Sequence, residues 1–267
     1  MTPDYSRFLV QGDIGGYSRF TSRSAHMANR LTIYLLAVLF GTGIAAAFSP
    51  SASAAILQVG PGKAFAKPSQ AIAAAHDGDT IEIATDGNYD NDVALIDKNN
   101  LTIRGVGKGL AILKTDGRVF DNKGIWVFAQ GCRNLTISNL DFEGARVSAN
   151  QGENGAGLRS QGLNLTVEHC RFHNNQDGIL GGYGKTVIEY TEFSHNGLTG
   201  QTHNLYIGDQ TGTLIFRFNY SHDSQIGHLL KSRAAVNEIA YNRLTDEAGA
   251  GSYEIDLPNG GLADIVG

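Results

Sequence analysis

Near-copies of one four-residue string return along this chain, and that periodicity limits what it can fold into more than any other feature. Asn100-Leu101-Thr102-Ile103, Asn134-Leu135-Thr136-Ile137 and Asn164-Leu165-Thr166-Val167 are the strong copies. Weaker ones follow at Thr186-Val187-Ile188, Thr213-Leu214-Ile215 and Asn237-Glu238-Ile239, at steps of about 22 to 34 residues. Each copy is followed by a second short string that holds an apolar or aromatic residue, namely Phe142, Phe172, Phe193, Tyr220 or Leu244. A third string comes next: Gly124-Ile125-Trp126, Gly157-Leu158-Arg159, Gly178-Ile179-Leu180, Asn204-Leu205-Tyr206, Leu230-Lys231 and Ile255-Asp256. Polar insertions such as Asn150–Asn154 lengthen the larger steps.

Three short strands joined by Gly, Asn and Asp turns cannot bury a core alone. Stacked coils can, because each strand pairs with its equivalents ~4.8 Å above and below. Alternation then sends Leu205 and Ile207 inward and Tyr206 outward. The fold expected is all-β, a parallel β-helix with three strands per coil. A leucine-rich repeat needs a helical side, and a propeller needs four strands in a repeat of ~40 residues. Ahead of the coils, Pro68-Ser69-Gln70-Ala71-Ile72-Ala73-Ala74-Ala75 reads as a short capping helix, with Pro at its first position and Gly78 beyond its end. Thr80-Ile81-Glu82-Ile83 then enters the solenoid.

With its repeated Asn-Leu-Thr-Ile strands and an Ala-rich cap before Gly78-Asp79-Thr80-Ile81-Glu82-Ile83, the segment 56–267 resembles the right-handed parallel β-helix proteins of the pectate-lyase-like superfamily. The resemblance implies right-handed coils, in line with the general crossover preference of parallel strands. It is poor in information about the reaction, since this architecture serves lyases, hydrolases, epimerases and adhesins.

Composition agrees with turn-dense β structure, with 34 Gly and 5 Pro in 267 residues. The hydrophobic share of 42% argues against a disordered chain, and the net charge of −5 against a nucleic-acid binder. Arg30 precedes the apolar run Leu31–Phe48, and Ala52-Ser53-Ala54 follows it as a small-residue cleavage site. These are the parts of a secretory signal peptide, with a single membrane anchor as the competing reading. The expected organisation is an extension over 1–26, a signal peptide over 27–54 and a β-helix over 55–267, secreted or periplasmic, with no membrane association in the mature form. Removing residues 1–54 leaves a charge of about −7.

The third string carries the candidate chemistry. Its outward residues form an expected column of Trp126, Arg159, Leu180, Tyr206, Lys231 and Asp256, and a step of 25 residues also links His203, His228 and Tyr253. Arg233 lies two residues beyond Lys231, on the same side of its strand. This set suits β-elimination of a uronic-acid polysaccharide, the reaction that many members of the resembled superfamily perform. A cation must neutralise the C6 carboxylate, a base must take the C5 proton, and an acid must protonate O4. Lys231 and Tyr206 are the expected base and acid, the lysine lowered in pKa by crowding from Arg233, with His203 and His228 as alternates for either role. Arg159 and Arg233 are expected to hold carboxylates and Trp126 to stack on a sugar. Tyr253, Glu254 and Asp256 complete the substrate-binding set. C5 epimerisation needs the same groups. The alternative class is a non-catalytic polysaccharide-binding or adhesion module.

Several features count against other chemistries. The Asn-Thr-Asp, Asp-Asp, Gly-His-Gly and Arg-Ile-Lys strings of polygalacturonase-type hydrolases do not occur. Calcium sites are built from clustered carboxylates, whereas Asp177, Asp209, Glu254 and Asp256 are spread along the face. No cofactor is expected, with Ca2+ the weaker alternative. His195 and His222, in register with Asn174 and Asp246, read as turn residues. Phe142, Phe172, Phe193 and Tyr220 read as core stacking, and Cys170 as a buried thiol unpaired with Cys132. The Asn-x-Ser/Thr matches at Asn100, Asn134, Asn164 and Asn219 read as strand and turn chemistry. Leu262–Gly267 reads as the first strand of one more coil, so the β-helix is expected to be truncated at its C-terminal end or completed by a partner, with self-association through the exposed last strand.

Overall fold

The computed structural model describes residues 53–198 and 201–267. Apart from Ser53 and Ala54, the extension and signal peptide expected over 1–54 lie outside the described residues. Among those described, no helix is long and apolar enough to cross a membrane.

The Leu-Thr-Ile strings become parallel strands in strict register. Ile81, Ile103, Ile137, Val167, Ile188, Phe216, Ile239 and Ile265 stand one above another through eight successive strands. All but Ile265 are buried. The register differs by one residue from the string match at Thr213-Leu214-Ile215, since Phe216 takes the inward place. The last strand, Leu262–Val266, pairs with Val236–Ala240 as the repeat implied.

The second strings make a six-stranded parallel sheet. Leu113, Phe142, Phe172, Phe193, Ser221 and Leu244 form its inward column. Phe142 and Phe172 stack at 4.8 Å between ring centres, and Phe172 and Phe193 at 5.3 Å. Tyr220 is not in this series. Ser221 holds that place, and the Tyr220 ring lies against His222 at 4.0 Å under the Arg243 guanidinium. His222 likewise stands above Ser194 and His173, so it shares no column with His195.

The third strings form the sheet that carries the site: Ala94–Ile96, Gly124–Phe128, Leu205–Ile207, His228–Ser232 and Tyr253–Asp256, with the opening halves of two long strands. Those strands, Ala156–Glu168 and Asp177–Glu189, run 13 residues each and bend onward into the Leu-Thr-Ile sheet.

The turns between sheets are held by side chains as well as backbone. Asn100, Asn134 and Asn164 adopt left-handed φ of 55°, 59° and 63°, which asparagine tolerates better than most residues. Their amides form a ladder, Asn134 donating to Asn100 at 2.7 Å and Asn164 to Asn134 at 2.9 Å. This turn requirement accounts for the Asn-Leu-Thr motif without a glycan. At another corner the buried Asn175 and Asn196 satisfy the Phe142 and Phe172 carbonyls at 3.0 and 2.9 Å. At a third corner the left-handed positions are His169, Tyr190, Phe218 and Tyr241, whose rings stack on the outside at 4.9, 5.1 and 5.6 Å. Ring stacking offsets part of the cost of left-handed backbone in bulky residues.

The cap is a helix over Pro68–Ala74, with Pro at its start and Ala71 and Ile72 buried against the first coil. Gln70 Oε1 accepts from the Ala66 and Lys67 amides, which would otherwise lack partners at the helix start. Cys170 is buried, burial pushes its thiol up to about 12, and both cysteines are free. Because Phe172 has a ring on each face, Phe172→Ala should cost about 3–5 kcal/mol. Chemical denaturation of the variant checks this, and a loss below about 1 kcal/mol would mean that the phenylalanine stack does not hold the coils together.

Candidate functional site

Two outward columns meet at one corner of the solenoid. The first is Val127, Arg159, Leu180, Tyr206, Lys231 and Asp256, on consecutive strands. Trp126 does not belong to it. Gly124 pairs with Ala156 rather than with Gly157, so Trp126 stands over Leu158 and turns inward. Its indole is fully buried with an edge against Phe142 at 5.2 Å, and it cannot stack on a sugar. The second column lies three residues earlier: Gly124, Ala156, Asp177, His203, His228 and Tyr253. Between the columns each strand has two residues directed to the core, such as Asn204 and Leu205, both fully buried. Glu254 falls at this position, in line with Gly178, Asn204 and Leu229, and is exposed. It does not share a column with Asp256.

Close packing fixes the histidines. Their rings stack at 4.7 Å, and the His228 amide donates to His203 Nδ1 at 3.0 Å. Gly227 makes the approach possible, since a Cβ there would lie 1.9 Å from the Thr202 carbonyl oxygen and 2.7 Å from His203 Nδ1, on a backbone with φ of +87°. Nδ1 is an acceptor, so the hydrogen of the neutral ring is on Nε2. Burial drives the His203 pKa down to about 3, with lesser contributions from His228 and Lys231. His203 is thus a neutral donor near physiological pH, and not a base. His228 is also lowered, chiefly by burial, although Asp256 opposes the shift.

The remaining groups gather around Tyr206. The His203 ring meets it edge-on at 5.4 Å. Arg233 Nε donates to Tyr206 Oη at 2.8 Å, and Lys231 Nζ lies 5.4 Å from the ring centre. Asp256 Oδ2 is shared, at 3.4 Å from Lys231 Nζ and 3.2 Å from His228 Nε2. The expected crowding of Lys231 by Arg233 is replaced by this pairing with Asp256. Arg233 is held in turn by Asn259 through Nη1. Tyr253, 63% exposed, covers the open side of His228 at 5.2 Å.

Arg159 lies apart from this cluster, two coils from Tyr206 with the apolar Leu180 between. Its Nη1 is buried without a partner, and burial lowers its pKa. It opens onto a groove of about 800 Å³ formed by residues 130–133, 159–161, 163, 181–183 and 208–210. Asp177, noted in the sequence only as near the face, is fully buried. Its Oδ1 accepts the His203 amide at 2.8 Å, and burial raises its pKa to about 8 against that bond and Arg159. The signal for it was present, since Asp177 precedes His203 by 26 residues, close to the step of 25 that links His203 to His228.

A family model described as "Right handed beta helix region" matches residues 99–256. The chain belongs to this family. Among solved structures, the β-helix is similar to pectin methylesterase PemA from Erwinia chrysanthemi, with a TM-score of 0.51 and 15% identity over 72% of this chain. The match spans 66% of that enzyme, just under two thirds, and at this identity it concerns the fold. A search of curated protein sequences finds no match.

Among the described residues of this β-helix, no three His, Cys, Asp or Glu side chains converge as a metal-holding group. The cluster can donate hydrogen bonds from His203 and Tyr206, present cations at Lys231 and Arg233, and move a proton at Tyr206, Lys231 or Asp256.

Asp177 and His203 make stability depend on pH in opposite senses. The folded pKa of Asp177, about 8, lies above the ordinary 3.8, so its contribution is complete below about pH 4 and lost as pH rises to about 8. That of His203, about 3, lies below the ordinary 6.5, so its contribution is present above about pH 6.5 and lost as pH falls toward 3. Asp177→Asn should flatten the first loss and His203→Gln the second, as read by urea unfolding across pH. Slopes unchanged from wild type would show that these two groups titrate as they do in the unfolded chain.

Proposed function

We propose that this β-helix acts on a uronic-acid polysaccharide and cleaves it by β-elimination. The observation that supports this most is the setting of Tyr206, with Arg233 Nε on its oxygen at 2.8 Å and Lys231 Nζ 5.4 Å from its ring centre. An acid, a cation and an amine then lie on adjacent coils of one outward face. The reaction begins with Lys231 passing its proton to Asp256, whose Oδ2 is 3.4 Å away. The neutral amine takes the C5 proton, the C5–H electrons form the C4–C5 double bond, and the C4–O4 bond breaks. Tyr206 protonates O4, and the charge left on its oxygen is met by the Arg233 guanidinium. Transfer of the captured proton from Lys231 to Tyr206 closes the cycle. Arg233 and Arg159 hold carboxylates of the chain, while His203 and His228 are neutral donors beside the reacting unit.

A pectin-type substrate is supported by the likeness in fold to an enzyme named for pectin. Export is part of the same reading, because a polysaccharide of this kind is met outside the cytoplasm. Incubation with pectate, alginate and glucuronan, followed through the ultraviolet absorbance of the unsaturated product, tests the proposal. Retention on an immobilised polysaccharide without product would favour a binding module. Inversion at C5 without absorbance would favour an epimerase.

Lys231→Ala and Tyr206→Phe should each lower turnover by ~10²–10⁴-fold, the range for a positioned acid or base. Substrate binding should change much less. Wild-type turnover in both variants would remove these residues from the chemistry.

A further inference from the structure

The sequence holds three Asn-Gly pairs, Asn154-Gly155, Asn196-Gly197 and Asn259-Gly260. In such a pair the amide nitrogen of the glycine can attack the asparagine side-chain carbonyl, since no Cβ hinders the approach. The fold treats the three pairs differently. Asn196 is fully buried, with Oδ1 accepting from the Asn175 amide at 3.0 Å and Nδ2 donating to the Phe172 carbonyl at 2.9 Å. Gly155 is also buried, and its amide donates to Gln176 Oε1 at 2.7 Å. Both pairs are locked. Asn259 instead lies in the exposed run Pro258-Asn259-Gly260-Gly261, between the strands Tyr253–Asp256 and Leu262–Val266. A Cβ at Gly260 would meet nothing within 4 Å. The Gly260 amide donates to the Leu257 carbonyl at 3.0 Å, a surface turn bond that water can replace.

Arg233 gives an independent sign. Its Nη1 donates to Asn259 Oδ1, while its Nε donates to Tyr206 Oη at 2.8 Å. A guanidinium on a carbonyl oxygen steadies the charge that gathers there when a nucleophile adds to the carbon. The far side of the turn is anchored, with the Leu262 amide donating to the Ala235 carbonyl at 3.0 Å. A Cβ at Gly261 would lie 2.6 Å from that same oxygen, so the turn sits close against the coil that carries Arg233.

We propose that Asn259 is a site of spontaneous deamidation, assisted by Arg233, which places a carboxylate against the guanidinium beside Tyr206. The Gly260 nitrogen loses its proton to water and bonds to Asn259 Cγ, and the charge gathers on Oδ1. The Cγ–Nδ2 bond then breaks, and ammonia leaves with a proton taken from water. Water opens the resulting cyclic imide, at Cγ to give aspartate or at the backbone carbonyl to give isoaspartate. In sum, water is consumed, ammonia is released and the chain gains a negative charge at neutral pH. The new carboxylate offsets the charge of Arg233, so the cluster around Tyr206 becomes less cationic as the protein ages.

Incubation of the full protein in warm, mildly alkaline buffer, followed by peptide mass spectrometry over time, tests this. The peptide spanning Asn259 should gain the mass difference between amide and acid, in aspartate and isoaspartate forms. Peptides spanning Asn154 and Asn196 should stay unchanged over the same interval. Arg233→Met should slow the conversion several-fold, and Arg233→Lys, which keeps a cation near the oxygen, should give an intermediate rate. Added salt, which screens the guanidinium, should slow the wild-type protein without any substitution. No conversion at Asn259, or equally fast conversion at Asn154 or Asn196, would overturn the site. A rate in Arg233→Met equal to or above that of wild type would overturn the part given to the guanidinium. None of these readouts depends on turnover, so their outcome is independent of the lyase reading.

Discussion

Parallel stacking in register, at a rise of ~4.8 Å per coil, is the constraint on which this molecule depends. It satisfies the backbone of each strand from the coils above and below, and it places every side chain over its equivalent in the next coil. Whatever residue type suits a position once therefore suits it repeatedly. The isoleucine column, the stacked Phe142, Phe172 and Phe193 rings and the asparagine ladders all follow from that geometry. At the corners the chain must turn without losing hydrogen bonds, and buried amides such as Asn175 and Asn196 supply the donors and acceptors that the strands cannot.

The same rule builds the site. Two outward columns approach because the strands that carry them have two consecutive core-facing residues between the outward ones, so side chains three apart in sequence share a corner. Burial then divides the groups by charge. Asp177 and His203 are deep enough that desolvation dominates, outweighing the His203 amide and Arg159 for the acid and reinforced by His228 and Lys231 for the imidazole, which keeps the acid protonated and the imidazole neutral near pH 7. Lys231 and Asp256 are nearer to solvent and lie within ion-pair distance of each other. The result is a buried wall of neutral groups beside the more open Lys231–Asp256 pair.

Most of the architecture was legible in the sequence because inward positions demand apolar residues and turns demand Asn or Gly. The capping helix, the solenoid, the final pairing of Leu262–Val266 and the adjacency of Tyr206, Lys231 and Asp256 could be read from spacing. The differences are register shifts of one residue. Trp126 was placed outward by matching Gly124 to Gly157, although the coil pairs Gly124 with Ala156. Tyr220 was matched to phenylalanines by aromatic likeness, while the small Ser221 occupies the core position. Glu254, expected on the binding face with Asp256, falls at a core-facing position because the corner breaks alternation. Periodicity of two holds within a flat strand and fails where consecutive residues both turn inward. The left-handed aromatic ladder of His169, Tyr190, Phe218 and Tyr241 was not legible because propensity gives no reason for bulky rings at such a turn. Only the stack, visible in three dimensions, supplies one.

A repetitive scaffold becomes asymmetric where a column stops repeating. The core columns vary little and say nothing about function, whereas the outward column changes from Val127 to Arg159, Leu180, Tyr206, Lys231 and Asp256 within six strands. Leu180 is the dividing point. It is nearly buried and apolar, so it separates the Arg159 groove from the Tyr206 cluster on a face that is otherwise continuous. Along the axis the face presents a guanidinium at Arg159, an apolar step at Leu180, and polar and ionisable groups from Tyr206 onward. One coil geometry, repeated without change, thus gives each position along the face a different environment: the scaffold fixes the spacing, and the residues that break the repeat fix the chemistry.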